Sequence, residues 1–113
     1  MNRRLYERLI EVASAQKCVY YREIAPLVNL DMSLPPDRAE IGRLLGEVSQ
    51  HEHALGRPLL SLVVISHEGN KPGKGFFTLA RDLGVYTGPD EDTYWNTELK
   101  RVWAASKRES KRK

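Results

Sequence analysis

The stretch that most constrains this chain is Leu59-Leu60-Ser61-Leu62-Val63-Val64-Ile65, its longest apolar run. It is far short of the ~20 residues that span a bilayer, so it belongs inside a folded domain. Arg57-Pro58 breaks the chain before it, and His67 to Gly75 follows with three glycines and a proline. Leu59 to Ser66 therefore reads as a strand apolar enough to be buried on both faces. The rest of the chain has to pack around it. The 113 residues suit one domain of the usual ~100–150 residues, and 41% apolar content is enough for one modest core.

The flanking segments read mostly as helices. Leu5, Leu9, Val12 and Ala13 recur at helical spacing behind a plausible N-cap, Asn2. Cys18 to Tyr21 is short and β-prone, and of the adjacent Tyr20 and Tyr21 one is expected inside and one outside. Arg22 to Val28 reads as a short helix, weakened by Pro26 and capped by Asn29. Asp31 to Pro36 reads as a loop. From Asp37 to Leu55, Ile41, Leu44, Leu45, Val48 and Leu55 line one stripe, His51 or Glu52 fills its gap, and Gly56 ends it. Phe76-Phe77 reads as a brief return strand, followed by a helical pattern through Leu83 that stops at Gly84. The last helix spans about 90–106, with acids first and bases last, as the macrodipole favours. Trp95 and Trp103 pin it to the core.

Charge excludes some classes. The chain has 18 Lys and Arg against 15 Asp and Glu, a net +3. Residues 107–113 alone carry five bases and one acid, while the other 106 residues hold 13 bases and 14 acids. A basic tail on a near-neutral body is not a histone-like surface. The N-terminus lacks the apolar core of a signal peptide. One cysteine, Cys18, cannot form an internal disulfide, so a reducing, cytoplasmic compartment is expected.

No segment announces catalysis. Gly69 to Gly75 lacks the Gly-x4-Gly-Lys-Ser/Thr spacing of a phosphate-cradling loop. His51 and His53, two apart, face different directions on a helix and cannot share a metal. His67 reads as structural or solvated, Cys18 as a small apolar residue, and Ser61 as hydrogen-bonded locally inside the apolar run. An enzyme would need His67, Ser61 and an acid in one cleft. Neither a cofactor nor a metal is implied.

The element order is more informative. Helix, short strand, helix, long helix, strand and glycine loop is the order of a helix-turn-helix unit with a β-wing, whose third helix enters the major groove. On that reading Arg38, Arg43 and Gln50 are types that read guanine and adenine edges. Asn70, Lys71 and Lys74 sit on the wing, and Lys107, Arg108, Lys111, Arg112 and Lys113 add phosphate contacts. Glu40 and Glu47 share the long helix and oppose phosphate.

Tyr21-Arg22-Glu23-Ile24-Ala25, Arg38 to Leu45, Val63 to Gly69 and Gly73-Lys74-Gly75-Phe76 resemble the winged-helix DNA-binding domain of the O6-alkylguanine-DNA alkyltransferases over residues 19–84. The resemblance implies that fold and a duplex-binding surface, with Arg38 near the position of a base-displacing arginine at a spacing one residue longer. Pro-Cys-His-Arg is missing and Ser61 stands near the cysteine position, so alkyl transfer is not implied. Gly56 to Ser61 with Pro72 to Phe77 also resembles a family of small bacterial proteins with no assigned activity.

The expectation is a mainly α, α+β domain over residues 1–106, winged helix-turn-helix-like, with core 19–84 and an added C-terminal helix. A frayed basic tail follows at 107–113. The expected partner is duplex DNA, without catalysis or membrane contact. The alternative is a protein-interaction module on the same fold.

Overall fold

The computed structural model of the chain describes residues 1–111, with side-chain surroundings through Ser106. Helix α1 spans Arg3–Ser14. Asn2 caps it, its Oδ1 accepting from Leu5 N–H at 2.9 Å, and Leu5, Leu9, Val12 and Ala13 are buried as the periodicity predicts. Strand β1 is Val19–Tyr20, helix α2 Tyr21–Ile24, and a 3-10 turn covers Ala25–Val28. The expected single helix over 22–28 is thus split just before Pro26. Asn29 ends it in the left-handed region at φ 59°, which an asparagine tolerates better than most residues.

Helix α3 runs Pro35–Ala54. It starts two residues earlier than expected because Pro35 and Pro36 occupy its first positions, where no intrahelical N–H is needed. Gly56, at φ 74°, ends it, and Arg57 N–H returns to the Glu52 carbonyl at 2.9 Å, a Schellman closure.

The apolar run departs from expectation. Leu60–Val63 forms a 3-10 turn, and only Val64–Ile65 is strand, β2. It pairs in parallel with β1, Val19 opposite Val64 and Tyr20 opposite Ile65. With so short a partner, the backbone polar groups of the run are satisfied otherwise. Trp95 Nε1–H donates to the Leu62 carbonyl at 2.9 Å, and Ser61 N–H donates to Ser49 Oγ at 3.1 Å.

The return strand at Phe76-Phe77 is also corrected. The 66–71 segment closes as a turn, Asn70 N–H to Ser66 O and Ser66 N–H to Lys71 O. Helix α4 then runs Lys74–Asp82, with Phe76 and Phe77 buried in its first turns. Helix α5 is Glu91–Lys111, further than the expected 90–106. Leu99 and Val102 join one core with residues of α1, α3, α4 and both strands. Trp103 Nε1–H donates to the Lys17 carbonyl at 3.0 Å, so both tryptophans fasten α5. The architecture is α+β: helices around a two-stranded parallel sheet.

Candidate nucleic-acid interface

A cleft of about 540 Å³ lies where α3 faces α4, lined also by Tyr21 and by the buried Ser61. Its α3 wall includes a stripe at four-residue spacing, Arg38, Gly42, Gly46 and Gln50, with Arg43, Leu45 and the Glu47 carboxylate beside it. Residues four apart share a helix face, so two glycines open the middle and two polar side chains flank it. A Cβ at Gly42 would meet nothing within 4 Å, and one at Gly46 would meet only Leu79 Cδ2 at 4.0 Å. The opposite wall is Gly75, Phe76 and Leu79 of α4.

The structure brings together three of the residues expected from the sequence, and separates the others. Arg38 and Gln50 are exposed and line the cleft. Arg38 makes no ion pair among the described residues. Arg43 also lines it, but its guanidinium is occupied. Nε and Nη2 donate to the two Glu40 oxygens, each at 2.7 Å, and Nη1 donates to Glu47 at 3.1 Å. The hydrogen bonds from Arg43 hold the Glu40 carboxyl below the usual range, and those to Glu40 push the Arg43 guanidinium up.

Lys71 is turned away toward α5. Its Nζ donates to Asp92 Oδ1 at 3.1 Å and Glu91 Oε1 at 3.4 Å, which raises its pKa. Lys74 is exposed at the first position of α4. Asn70, at φ 52°, accepts from Tyr20 OH at 3.3 Å. The side chains of Lys107, Arg108 and Lys111, and residues Arg112 and Lys113, lie outside the described residues.

The loop carrying Asn70 is held by both tyrosines. The Tyr20 ring stacks on His67 at 3.6 Å. Tyr21 OH accepts from Gly73 N–H at 2.9 Å while lining the cleft, and burial pushes its phenol up. Both are half-buried, not one in and one out. His67 is thus committed to Tyr20, and Ser61 to Ser49, at 2.6 Å between oxygens. Burial pushes the Cys18 thiol up, away from the reactive thiolate. Among the described residues no group of three or more His, Cys, Asp or Glu is placed to hold a metal ion, and no helix is long and apolar enough to cross a membrane.

Sequence reasoning singled out the polar ends of the stripe and missed its middle. The signal was present as Gly42 and Gly46, four apart in the longest helix, between Arg38 and Gln50 at the same spacing. Tyr21, Phe76 and Leu79 carried no such signal, because only the tertiary fold brings them there. Comparison with known proteins finds no matching family model, no matching curated protein and no matching solved structure.

Proposed function

We propose that this chain is a non-catalytic, cytoplasmic nucleic-acid-binding protein with a winged-helix-like scaffold that turns the α3–α4 cleft toward duplex DNA. The observation that carries the reading is the convergence of Arg38, Arg43 and Gln50 on one cleft with Tyr21 and Phe76. Arginine and glutamine read base edges and hold phosphates, and aromatic faces stack on bases. The volume of about 540 Å³ lies within the ~300–1,000 Å³ of small-ligand sites. Residues behind the alkyltransferase resemblance support it further: Tyr21, Arg38, Gly75 and Phe76 line this cleft, beside Ser61, where the chain departs from that family's motif. Arg38, Lys74 and the basic tail supply the phosphate contacts, since Arg43 and Lys71 are engaged by carboxylates.

Fluorescence anisotropy with a labelled duplex across a salt series tests the proposal. Binding at low salt that weakens steadily with added salt is expected, and no binding at low salt overturns it. One observation favours a second reading. The body is one charge short of neutral, and two of its expected phosphate contacts are spent internally, which suits a protein-interaction module. A protein partner retained when the tail bases are replaced, with no DNA binding, favours that module.

A further inference from the structure

Arg43 and Glu47 both line the cleft, one turn apart on α3. Arg43 Nη1 donates to Glu47 Oε1 at 3.1 Å, and 58% and 38% of the two side chains are exposed. Neither group is exhausted by its partners. A guanidinium carries five N–H donors, and Arg43 commits three of them, two to Glu40 and one to Glu47. The second Glu47 oxygen, Oε2, makes no hydrogen bond among the described residues. The two-bond grip of Glu40 on Nε and Nη2 fixes the plane of the guanidinium. An exposed ion pair therefore holds an unused acceptor next to unused donors.

In the major groove a C·G pair carries the complementary pattern. Cytosine offers its N4 amino donor, and guanine beside it offers the acceptors O6 and N7. A carboxylate on N4 leaves the neighbouring guanidinium N–H groups to O6 and N7. An A·T pair fits worse. The amino donor of adenine is flanked by N7, an acceptor that repels a carboxylate, and thymine has a methyl group where a second acceptor is needed. Against phosphate, Glu47 only repels. Against base edges the same carboxylate discriminates.

We infer that the Arg43–Glu47 ion pair is a specificity-determining contact that reads one C·G pair through its major-groove edge. This rests on the nucleic-acid reading and adds which base pair the α3 wall selects.

Selection from a duplex pool with a randomised centre, sequenced before and after binding to the full chain, tests the inference. A cytosine is expected to be enriched about fivefold or more over adenine at one position. That cytosine is then replaced by N4-methylcytosine, which still pairs with guanine but carries a methyl group in place of the amino hydrogen facing the major groove. Anisotropy is expected to show about three- to tenfold weaker binding to the methylated duplex, the worth of one hydrogen bond. Glu47→Ala is expected to bind the methylated duplex more tightly than the wild type does, because the unsatisfied carboxylate is gone. It is also expected to tell the two duplexes apart by less than about twofold. A residue that only supports the fold would not produce both effects. The wild-type comparison needs no variant, and circular dichroism checks the fold of Glu47→Ala. No enriched cytosine, no loss on methylation, or an equal loss in Glu47→Ala overturns the inference while the nucleic-acid reading stands. Absence of binding to the whole pool overturns that reading and this inference with it.

Discussion

Glu52 is an acid inside a core stripe. The periodicity of α3 left His51 or Glu52 at that position, and a histidine is the less costly of the two to bury. The structure places Glu52 inside with 4% exposure and leaves His51 exposed, edge-on to Tyr6. What the sequence could not show is the partner set. Arg57 donates to both Glu52 oxygens, at 3.2 and 2.7 Å, and Tyr6 OH donates at 3.1 Å. Truncating the two ends of this pair has unequal effects. Arg57→Ala strands a buried carboxylate, whereas Glu52→Gln leaves a guanidinium with 31% side-chain exposure that water can reach. Urea denaturation is expected to show a loss of about 2–4 kcal/mol for Arg57→Ala and roughly 1 kcal/mol for Glu52→Gln; the reverse order would mean that the carboxylate is the better hydrated partner. The buried tyrosines give a second case. Tyr86 and Tyr94 stack at 4.5 Å, and neither buried hydroxyl has a partner among the described residues. Tyr86→Phe is therefore expected to be neutral or stabilising by up to about 1 kcal/mol. Burial, with the Glu98 charge adding to it, pushes the Tyr94 phenol from its ordinary 10 up to about 12. Below pH 10 it is protonated in both folded and unfolded chains. Between about pH 10 and 12 only the unfolded chain ionises, so stability falls across that window. Tyr94→Phe is expected to flatten this part of a stability–pH curve measured by urea melts.

At the scale of elements, sequence reasoning succeeded where a segment meets its own requirements locally. The stripe of α1, the α3 stripe from Ile41 to Val48 and the chain reversals at Asn29, Gly56 and Gly84 follow from periodicity and from residues that accept positive φ; Leu55, expected to extend the α3 stripe, is exposed instead at the C-cap, where the helix has ended. It failed at Leu59–Ser66 and at Phe76-Phe77, where the deciding partners are far away in sequence. A run buried on all sides has no periodicity to separate strand from 3-10 turn; Trp95 and Ser49 supply the hydrogen bonds that make the turn affordable. The cleft was half legible for the same reason. Its α3 wall is one stripe and readable, whereas its α4 wall depends on Phe76 being helical. The glycines in that stripe lead to a prediction that separates stability from function. Glycine within a helix is less stable than alanine by roughly 0.5–1 kcal/mol, and a Cβ at Gly42 meets no atom. Gly42→Ala should therefore raise the urea midpoint while weakening duplex binding by narrowing the cleft. A gain in stability with unchanged affinity would remove the cleft from the binding face.

For the whole molecule, the question is which charges act outward. Arg43 and Lys71 are neutralised by Glu40, Glu47, Glu91 and Asp92. A body of net −1 then presents Arg38 and Lys74 beside the cleft, and the five tail bases lie beyond it in sequence. Each phosphate contact contributes ~0.9 to the slope of log K against log salt, so the two sources can be counted separately. Replacing all five tail bases by glutamine is expected to lower the slope by about 4.5, and Arg38→Gln by about 1. Arg43→Gln behaves differently, because it releases two carboxylates toward the phosphates. It should weaken binding at low salt more than loss of one contact explains, and addition of salt should shrink that excess as the repulsion is screened. If the tail substitutions abolish binding altogether while Arg38→Gln and Arg43→Gln leave the full chain unchanged, the α3–α4 face does not touch DNA. The tail is then a non-specific anchor, and the cleft belongs to a protein partner.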